Sequence, residues 1–185
     1  MRILAGTLKG RRLVTPRGLA TRPTADQVRI ALMDTLAPWL PGARVLDLFA
    51  GAGGVGLEAL SRGAAHATFV ERAAAAVAAL RRNVATLALE SRVQVLRGDV
   101  GRELERLARD GARFDIVFLD PPYEGDLVDG TVERLGGGAI AAPRAIVVAQ
   151  HPTKRPPAPR AGRLAAFRTR RFGETTLTFF RMGEA

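Results

Sequence analysis

The sequence predicts an α/β fold in which helices flank a mostly parallel sheet, and three features indicate it. From residue 44 onward, short apolar runs alternate with longer runs of helical periodicity, as in successive β–α units. A glycine-rich turn follows the first apolar run, and a Pro-rich basic segment precedes two final strand-like runs. With 185 residues, 47% of them hydrophobic, the chain can bury one self-sufficient core. We therefore expect a single domain over residues 1–185, with a basic hairpin extension at 1–23 and the main α/β core at 24–185.

Local patterns place the elements in order. Residues 1–13 suit a small β-hairpin with a basic turn, and apolar residues at helical spacing predict a helix from Thr24, its N-cap, to Leu36. Core strands are predicted at 45–49, 67–70, 93–96, 114–119 and 145–149. Helices are predicted between them at 54–61, 73–88, 102–108 and 126–135. This order favours parallel strands joined by helical crossovers.

The C-terminal region is predicted to complete the sheet with antiparallel strands. Four prolines among basic residues at 151–162 predict an irregular surface loop. The runs 164–172 and 175–182 flank Gly173-Glu174, so a tight turn there would form an antiparallel hairpin at the sheet edge.

Charge and residue usage limit the classes of function. The 28 Lys and Arg residues exceed the 18 Asp and Glu residues and give a net charge of +10, which favours a nucleic-acid partner, although solvated surface charge fits equally well. There is no cysteine and there are only two histidines, so we expect no disulfide and no metal site. No apolar signal segment or membrane-spanning run is present, so we expect a cytoplasmic protein with no membrane partner.

The glycine-rich turn predicts a nucleotide-like cofactor. The segment 47–56 follows a predicted strand and opens a predicted helix, with the spacing G-x-G-x-x-G. Its glycines let backbone amides approach a ligand closely, so Phe49, Gly51 and Gly53 are candidate binding residues. The spacing alone fits NAD equally well.

Asp47 distinguishes between NAD and S-adenosylmethionine as the cofactor. A carboxylate just before the turn would repel a pyrophosphate but attract the ammonium group of a methionine moiety, so S-adenosylmethionine is favoured. Glu71, at the end of the next strand, is expected to accept hydrogen bonds from the ribose hydroxyls. Asp99, after the third strand, is expected near the adenine amino group, or else as an N-cap of the following helix.

The tetrapeptide Asp120-Pro121-Pro122-Tyr123 is the candidate catalytic centre. It follows the predicted strand 114–119, which places it at the carboxyl edge of the sheet beside the glycine turn. An exocyclic base amine is a poor nucleophile, and Asp120 with the Pro121 carbonyl could accept its two hydrogens while the double proline fixes their positions. Pro122 completes that rigid pair, and Tyr123 offers a ring on which a base can stack.

The residues alone leave other functions open. Similar chemistry suits methylation of a DNA adenine or a protein glutamine amide, although the chain shows no separate DNA-reading domain. An NAD-dependent oxidoreductase is disfavoured by Asp47 and by the lack of an evident proton donor. A non-catalytic RNA-binding module is disfavoured by the intact tetrapeptide.

Several further segments carry a more discriminating pattern. They are Met1-Arg2-Ile3 with Gly10-Arg11, Arg22-Pro23-Thr24, Asp26-Gln27-Val28-Arg29, and Gly56-Leu57-Glu58-Ala59-Leu60-Ser61-Arg62-Gly63-Ala64. In these segments, and over nearly its whole length, the chain resembles the bacterial RsmD-type enzymes, the small-subunit (16S) ribosomal RNA guanine-N2 methyltransferases.

The resemblance implies a Rossmann-like class I S-adenosylmethionine methyltransferase with a mostly parallel seven-stranded sheet, a C-terminal antiparallel hairpin and a small N-terminal β-hairpin. It implies methylation of N2 of one guanine in small-subunit ribosomal RNA, with an assembling 30S subunit as partner. Arg22-Pro23-Thr24 would line the path between cofactor and RNA. Lys9, Arg11 and Arg12 suit contacts to RNA phosphates, and we expect a monomer. The chain departs from many relatives at Gln150, where they have an acidic residue.

Overall fold

The computed structural model describes residues 1–16, 23–122 and 126–184, without the side chains of 23–25. Within these residues the helices are α1 Pro23–Leu36, α2 Gly54–Ser61, α3 Ala74–Thr86, α4 Val100–Arg109 and α5 Leu127–Gly136, and short 3₁₀ turns lie at Ala37–Trp39 and Glu90–Arg92. The strands are β1 Arg44–Leu48, β2 His66–Glu71, β3 Val93–Arg97, β4 Phe114–Leu119, β5 Ala141–Pro152, β6 Arg160–Ala161, β7 Leu164–Phe172 and β8 Thr175–Met182.

These strands form a sheet of order β3-β2-β1-β4-β5-β8-β7-β6. Pairing is parallel from β3 to β5 and antiparallel from β5 to β6. The predicted α/β fold, with its mostly parallel sheet and antiparallel C-terminal strands, is confirmed. The described sheet has eight strands rather than seven, because the two-residue strand β6 also pairs with β7.

The sheet separates two apolar layers. Phe118 of β4 packs in the layer that includes α1, α2 and α3, whereas its neighbours Val117 and Leu119 pack in the layer of α4 and α5. Successive strand residues face opposite sides, so a strand covered on both faces must be apolar along most of its length. This explains the near-continuous apolar run of β4.

The N-terminal residues form a minimal hairpin. An isolated antiparallel bridge joins Arg2 to Arg12. The buried carboxylate of Glu58, on α2, accepts the N–H groups of Leu4 at 2.8 Å and Ala5 at 2.9 Å. The hairpin is therefore docked on the core by a buried carboxylate that also forms an ion pair with Arg62.

The start of α1 differs from the prediction. The helix begins at Pro23, so Thr24 lies inside the first turn and is not the N-cap. A proline suits the first helical position because its fixed φ matches the helix and its missing N–H would have had no partner there.

The predicted irregular loop at 151–162 is wrong at both ends. Strand β5 continues through His151 and Pro152, which pair with Thr176 and Thr175 of β8. The other end of the segment forms β6, which pairs with β7. These long-range partners keep the chain extended where local composition indicated a loop.

Candidate functional site

Two adjoining cavities open at the carboxyl ends of β1 and β4. These strands are neighbours in register, and the helices that follow them lie on opposite faces of the sheet, which is where α/β folds bind ligands. One cavity, of about 490 Å³, lies towards β2 and β3; the other, of about 370 Å³, lies towards α1. We name them the β2-side cavity and the α1-side cavity. Both are lined by Phe49, Gly51, Asp120 and Gln150, so together they form one cleft.

The shape of the glycine turn depends on its glycines. Gly53 has a φ of +83°, and a Cβ added to it would stand 2.3 Å from the Leu80 side chain. A Cβ on Gly56 would stand 2.3 Å from the Phe69 ring. Gly53 was predicted to bind the cofactor, but it lines neither cavity and instead lets the turn pack on its neighbours. Gly51 does line both cavities.

Phe49 is the residue that the turn displays at the junction of the two cavities. It has a φ of +59°, in the left-handed region that a residue with a large side chain rarely adopts. Strain of this kind persists only where the surrounding structure enforces it, and it clusters at ligand sites. This conformation supports Phe49 as a ligand-contacting residue.

Asp47 is a buried carboxylate beneath the turn. It is 2% exposed, and its Oδ2 accepts the Gly56 N–H at 2.9 Å. Burial raises the pKa of Asp47 to about 8, and the nearby carboxylates of Asp120 and Glu71 add to the rise. Because Asp47 also lines the α1-side cavity, a cationic ligand there would stabilise its ionised form.

Glu71 braces the glycine turn from the end of β2. Its Oε2 accepts the Gly51 N–H at 2.8 Å, and its Oε1 accepts the Ala73 N–H at 2.8 Å. A carboxylate has about four acceptor positions, so these bonds leave room for ribose hydroxyls in the β2-side cavity that Glu71 lines.

Asp99 is the N-cap of α4, one of its two predicted roles, and the adenine contact stays a prediction. Its side chain caps α4 by accepting the Arg102 N–H at 3.3 Å, and it also lines the β2-side cavity. The cap holds the carboxylate at the cavity wall, where its remaining lone pairs can accept from a ligand amine.

Asp120 stands where the two cavities meet. Its side chain is half-buried and lines both, and burial raises its pKa to about 7. Pro121 is buried and Pro122 is exposed, and both line the β2-side cavity. Tyr123 lies outside the described residues, so its predicted role stays a prediction.

Gln150 and Arg29 are among the cleft residues that sequence reasoning did not assign. Gln150, near the end of β5, lines both cavities, and its place directly after the predicted strand 145–149 was a usable signal. Arg29 lines the α1-side cavity from α1; it belongs to the discriminating segment Asp26-Gln27-Val28-Arg29, but no role for it was predicted.

The predicted RNA-binding residues lie on and beside the hairpin. Lys9, Arg11 and Arg12 are exposed, and Arg11 Nη2 donates to the Thr86 carbonyl at 3.0 Å. Arg22 and the side chain of Thr24 lie outside the described residues.

Asn83 connects the hairpin to the glycine turn. It is 1% exposed; its Oδ1 accepts the Val14 N–H at 2.7 Å, and its Nδ2 donates to the carbonyls of Val14 at 2.9 Å and Ala52 at 3.0 Å. One side chain thus ties the exit of the hairpin to the floor of the cleft.

Two further findings concern the described residues alone. None of their helices combines the length and the apolar character that a membrane span requires. They also contain no cluster of three acidic or histidine side chains that could hold a metal ion.

The chain is similar to known proteins in sequence and in fold. The family model described as Conserved hypothetical protein 95 matches residues 1–181. The Ribosomal RNA small subunit methyltransferase D of Escherichia coli K12 is 39% identical over 80% of this chain and 72% of that protein. The solved structure of a hypothetical protein from Thermus thermophilus has a TM-score of 0.83 at 32% identity, covering 100% of this chain and 99% of that chain. The Thermus thermophilus 16S rRNA N2 methyltransferase RsmC, in complex with AdoMet and guanosine, has a TM-score of 0.71 at 26% identity, covering 91% of this chain and 45% of that chain.

Proposed function

The chain belongs to the RsmD family, whose model is described as Conserved hypothetical protein 95, and on that premise we propose that it methylates the exocyclic N2 amine of a guanine in small-subunit ribosomal RNA. S-adenosylmethionine is the methyl donor. One observation carries the proposal: the half-buried carboxylate of Asp120, followed by two prolines, lies at the junction of the two cavities.

The cleft residues fit this cofactor. In the β2-side cavity, Glu71 can accept from the ribose hydroxyls and Asp99 from the adenine amine. In the α1-side cavity, Asp47 faces the region where a positively charged methionine moiety would lie. Phe49 and Gly51 would then flank the sulfonium at the junction.

The acceptor amine needs groups that direct its lone pair at the methyl carbon. Asp120 and the Pro121 carbonyl accept the two N–H groups, and the proline ring holds that carbonyl in place. The Gln150 side chain, on the same wall, offers a further acceptor or donor for the guanine edge. Bound S-adenosylmethionine would supply the methyl group: the new nitrogen–carbon bond would replace the carbon–sulfur bond, with S-adenosylhomocysteine as the leaving group. Tyr123 would stack on the base.

Asp120 is suited to take the proton that the methylated nitrogen releases. With its pKa raised to about 7, the carboxylate is a stronger base than an exposed aspartate, yet it still ionises near neutral pH. The positive charge of the bound cofactor would favour the ionised form further. The same group therefore aligns the amine before transfer and accepts its proton afterwards.

Cations on two sides of the cleft fit the phosphates of an RNA strand. Lys9, Arg11 and Arg12 lie on the hairpin. On the other side, Lys154 and Arg171 line a separate cavity of about 460 Å³ just beyond the end of β5. Phosphate contacts at both sides would position the strand while the cleft recognises one base. Arg22 and Thr24 would line the path between cofactor and RNA.

We propose that a monomer, acting as a single domain over residues 1–185, binds the assembling 30S particle.

Transfer of a labelled methyl group from S-adenosylmethionine tests the proposal. The substrates are small-subunit particles that lack the modification, fully modified particles as control, naked 16S RNA, and DNA. Label recovered as N2-methylguanosine from unmodified particles, and absent with Asp120→Asn, is the expected result. Label in adenine, in DNA or in protein, or no label with any substrate, would overturn it.

A further inference from the structure

Arg29 is a buried cation in the wall of the α1-side cavity. Its side chain is 6% exposed, and its Nη2 donates to the Arg2 carbonyl at 2.8 Å and to Asp26 Oδ1 at 3.0 Å. Its Nη1 lies 3.1 Å from the point where a Cβ on Gly54 would stand. The guanidinium is therefore fixed against the glycine turn, beside the first residue of α2.

The described residues do not satisfy every donor of the guanidinium. Among the described residues, no hydrogen-bond partner is found for its buried Nε. Burial lowers the pKa of Arg29, partly offset by Asp26 and Glu58. A buried donor without a partner is unfavourable, and a ligand acceptor in the cavity would remove that cost.

The surroundings of Arg29 favour a negatively charged group. The first N–H groups of a helix lack partners within the helix and carry partial positive charge, and α2 begins at Gly54, against which Arg29 lies. The same cavity is acidic elsewhere, where Asp47 and Asp120 line it. A cavity with a cation at one place and carboxylates at another matches a zwitterion.

We propose that Arg29 binds the α-carboxylate of the methionine moiety of S-adenosylmethionine, and of the product S-adenosylhomocysteine, in the α1-side cavity. The ammonium group of the same moiety then faces Asp47, and the sulfur lies at the junction beside the acceptor amine that Asp120 holds. The proposal deepens the proposed function and rests on it for the cofactor. It does not depend on which base is methylated, because binding alone tests it.

Three ligands separate the contribution of the carboxylate to binding from the contributions of the rest of the amino-acid part and of the adenosine. S-adenosylhomocysteine carries the carboxylate, its decarboxylated analogue lacks only that group, and 5′-methylthioadenosine lacks the whole amino-acid part. Calorimetric titration should show that the wild-type protein binds S-adenosylhomocysteine about tenfold to a hundredfold more tightly than the decarboxylated analogue, the range expected for a charge-assisted hydrogen bond. Arg29→Gln should remove most of this preference and leave the affinity for 5′-methylthioadenosine within about twofold.

Asp26→Asn is the matched control. It removes the ion pair between Asp26 and Arg29 but keeps the Arg29 guanidinium in the cavity wall, so the preference for the carboxylate should persist. Thermal unfolding of each variant shows whether it is folded under the conditions of titration.

Two outcomes would overturn the proposal. Equal losses for all three ligands in Arg29→Gln would assign Arg29 to structural support, and unchanged ligand affinities with weaker RNA binding would assign it to an RNA phosphate. If Arg29→Gln does not fold, the wild-type comparison still decides, because equal binding of the two S-adenosyl ligands excludes a carboxylate contact. Failure to methylate ribosomal RNA would refute the proposed function without changing these affinities.

Discussion

The two cavities of the cleft differ in how their charged groups are partnered. In the β2-side cavity, Glu71 and Asp99 each accept backbone N–H groups that hold them in place. In the α1-side cavity, burial raises the pKa of Asp47 to about 8, and the Nε of Arg29 has no partner among the described residues. In the α1-side cavity a buried donor therefore has no partner among the described residues, although Asp47 does accept the Gly56 N–H.

This difference indicates that the two cavities bind chemically different parts of the cofactor. Pre-positioned acceptors suit the neutral hydroxyl and amino groups of an adenosine, which need geometry more than charge. Buried charges that are poorly compensated suit a zwitterionic ligand, whose own charges relieve them. Variants on each side should therefore respond differently to charged and uncharged ligands.

The largest effect is expected at the junction, where Asp120 serves the acceptor amine rather than either half of the cofactor. Asp120→Ala should lower the single-turnover rate of methyl transfer by roughly 10³-fold, a typical loss for a general base. Its affinity for S-adenosylhomocysteine should change by less than about threefold. Rapid-quench transfer and calorimetric titration measure the two quantities, and equal losses in both would move Asp120 to the cofactor site.

Asp47→Asn removes the carboxylate charge from the α1-side cavity while keeping a side-chain oxygen that can accept the Gly56 N–H. We expect about tenfold weaker binding of S-adenosylhomocysteine, because the ammonium loses its counter-charge, and no change for 5′-methylthioadenosine.

The same variant should be more thermally stable than the wild type in the absence of ligand. The folded pKa of Asp47, about 8, lies above the ordinary value, so ionisation favours the unfolded chain as pH rises from acid towards 8. The difference in Tm should therefore widen between pH 5 and pH 8 and level off above. A difference that does not vary with pH would mean that Asp47 is already ionised in the folded protein.

Glu71→Gln tests the β2-side cavity, where we expect ligands with and without the amino-acid part to be affected alike. The amide keeps one acceptor oxygen but turns an N–H group towards one of the two backbone donors. We expect binding of both S-adenosylhomocysteine and 5′-methylthioadenosine to weaken by a similar factor of about tenfold. If only the charged ligand were affected, the contrast between the two cavities would be wrong.

The smallest effect is expected outside both cavities. Lys9→Gln should weaken RNA binding by about threefold near physiological salt and reduce the slope of log affinity against log salt by about 1. Binding of S-adenosylhomocysteine should not change. Arg109→Gln, an exposed change at the C-terminal end of α4, is the matched control, and an equal loss there would reduce the hairpin's role to general charge.

The acidic residues of the cleft could be predicted because a simple rule places them. Glu71 ends β2, Asp120 directly follows β4, and Asp47 is the penultimate residue of β1, and the carboxyl ends of parallel strands converge at one edge of a sheet. Gln150 obeys the same rule, but a neutral amide suggested no chemistry by itself. Its place on the wall of both cavities follows from the pairing of β5 with β4.

Other features depend on contacts that a local pattern does not contain. Arg29 lies in the middle of α1, and only the packing of that helix beside the glycine turn brings its guanidinium to the cleft. Strand β5 extends through Pro152 because β8, more than twenty residues later, pairs with it. Glycine spacing correctly indicated the turn, but the close contact of Gly53 with Leu80, which leaves no room for a Cβ, could not be read from that spacing.

The three hydrogen bonds of Asn83 have a thermodynamic consequence. They join Val14, at the exit of the basic hairpin, to Ala52, in the turn that lines the α1-side cavity. Any coupling free energy that this contact provides is the same for RNA binding and for cofactor binding, because linkage is reciprocal. If bound cofactor raises the affinity of the hairpin for RNA by some factor, bound RNA must raise the affinity of the turn for the cofactor by the same factor. Dissociation of either ligand then lowers the affinity for the other.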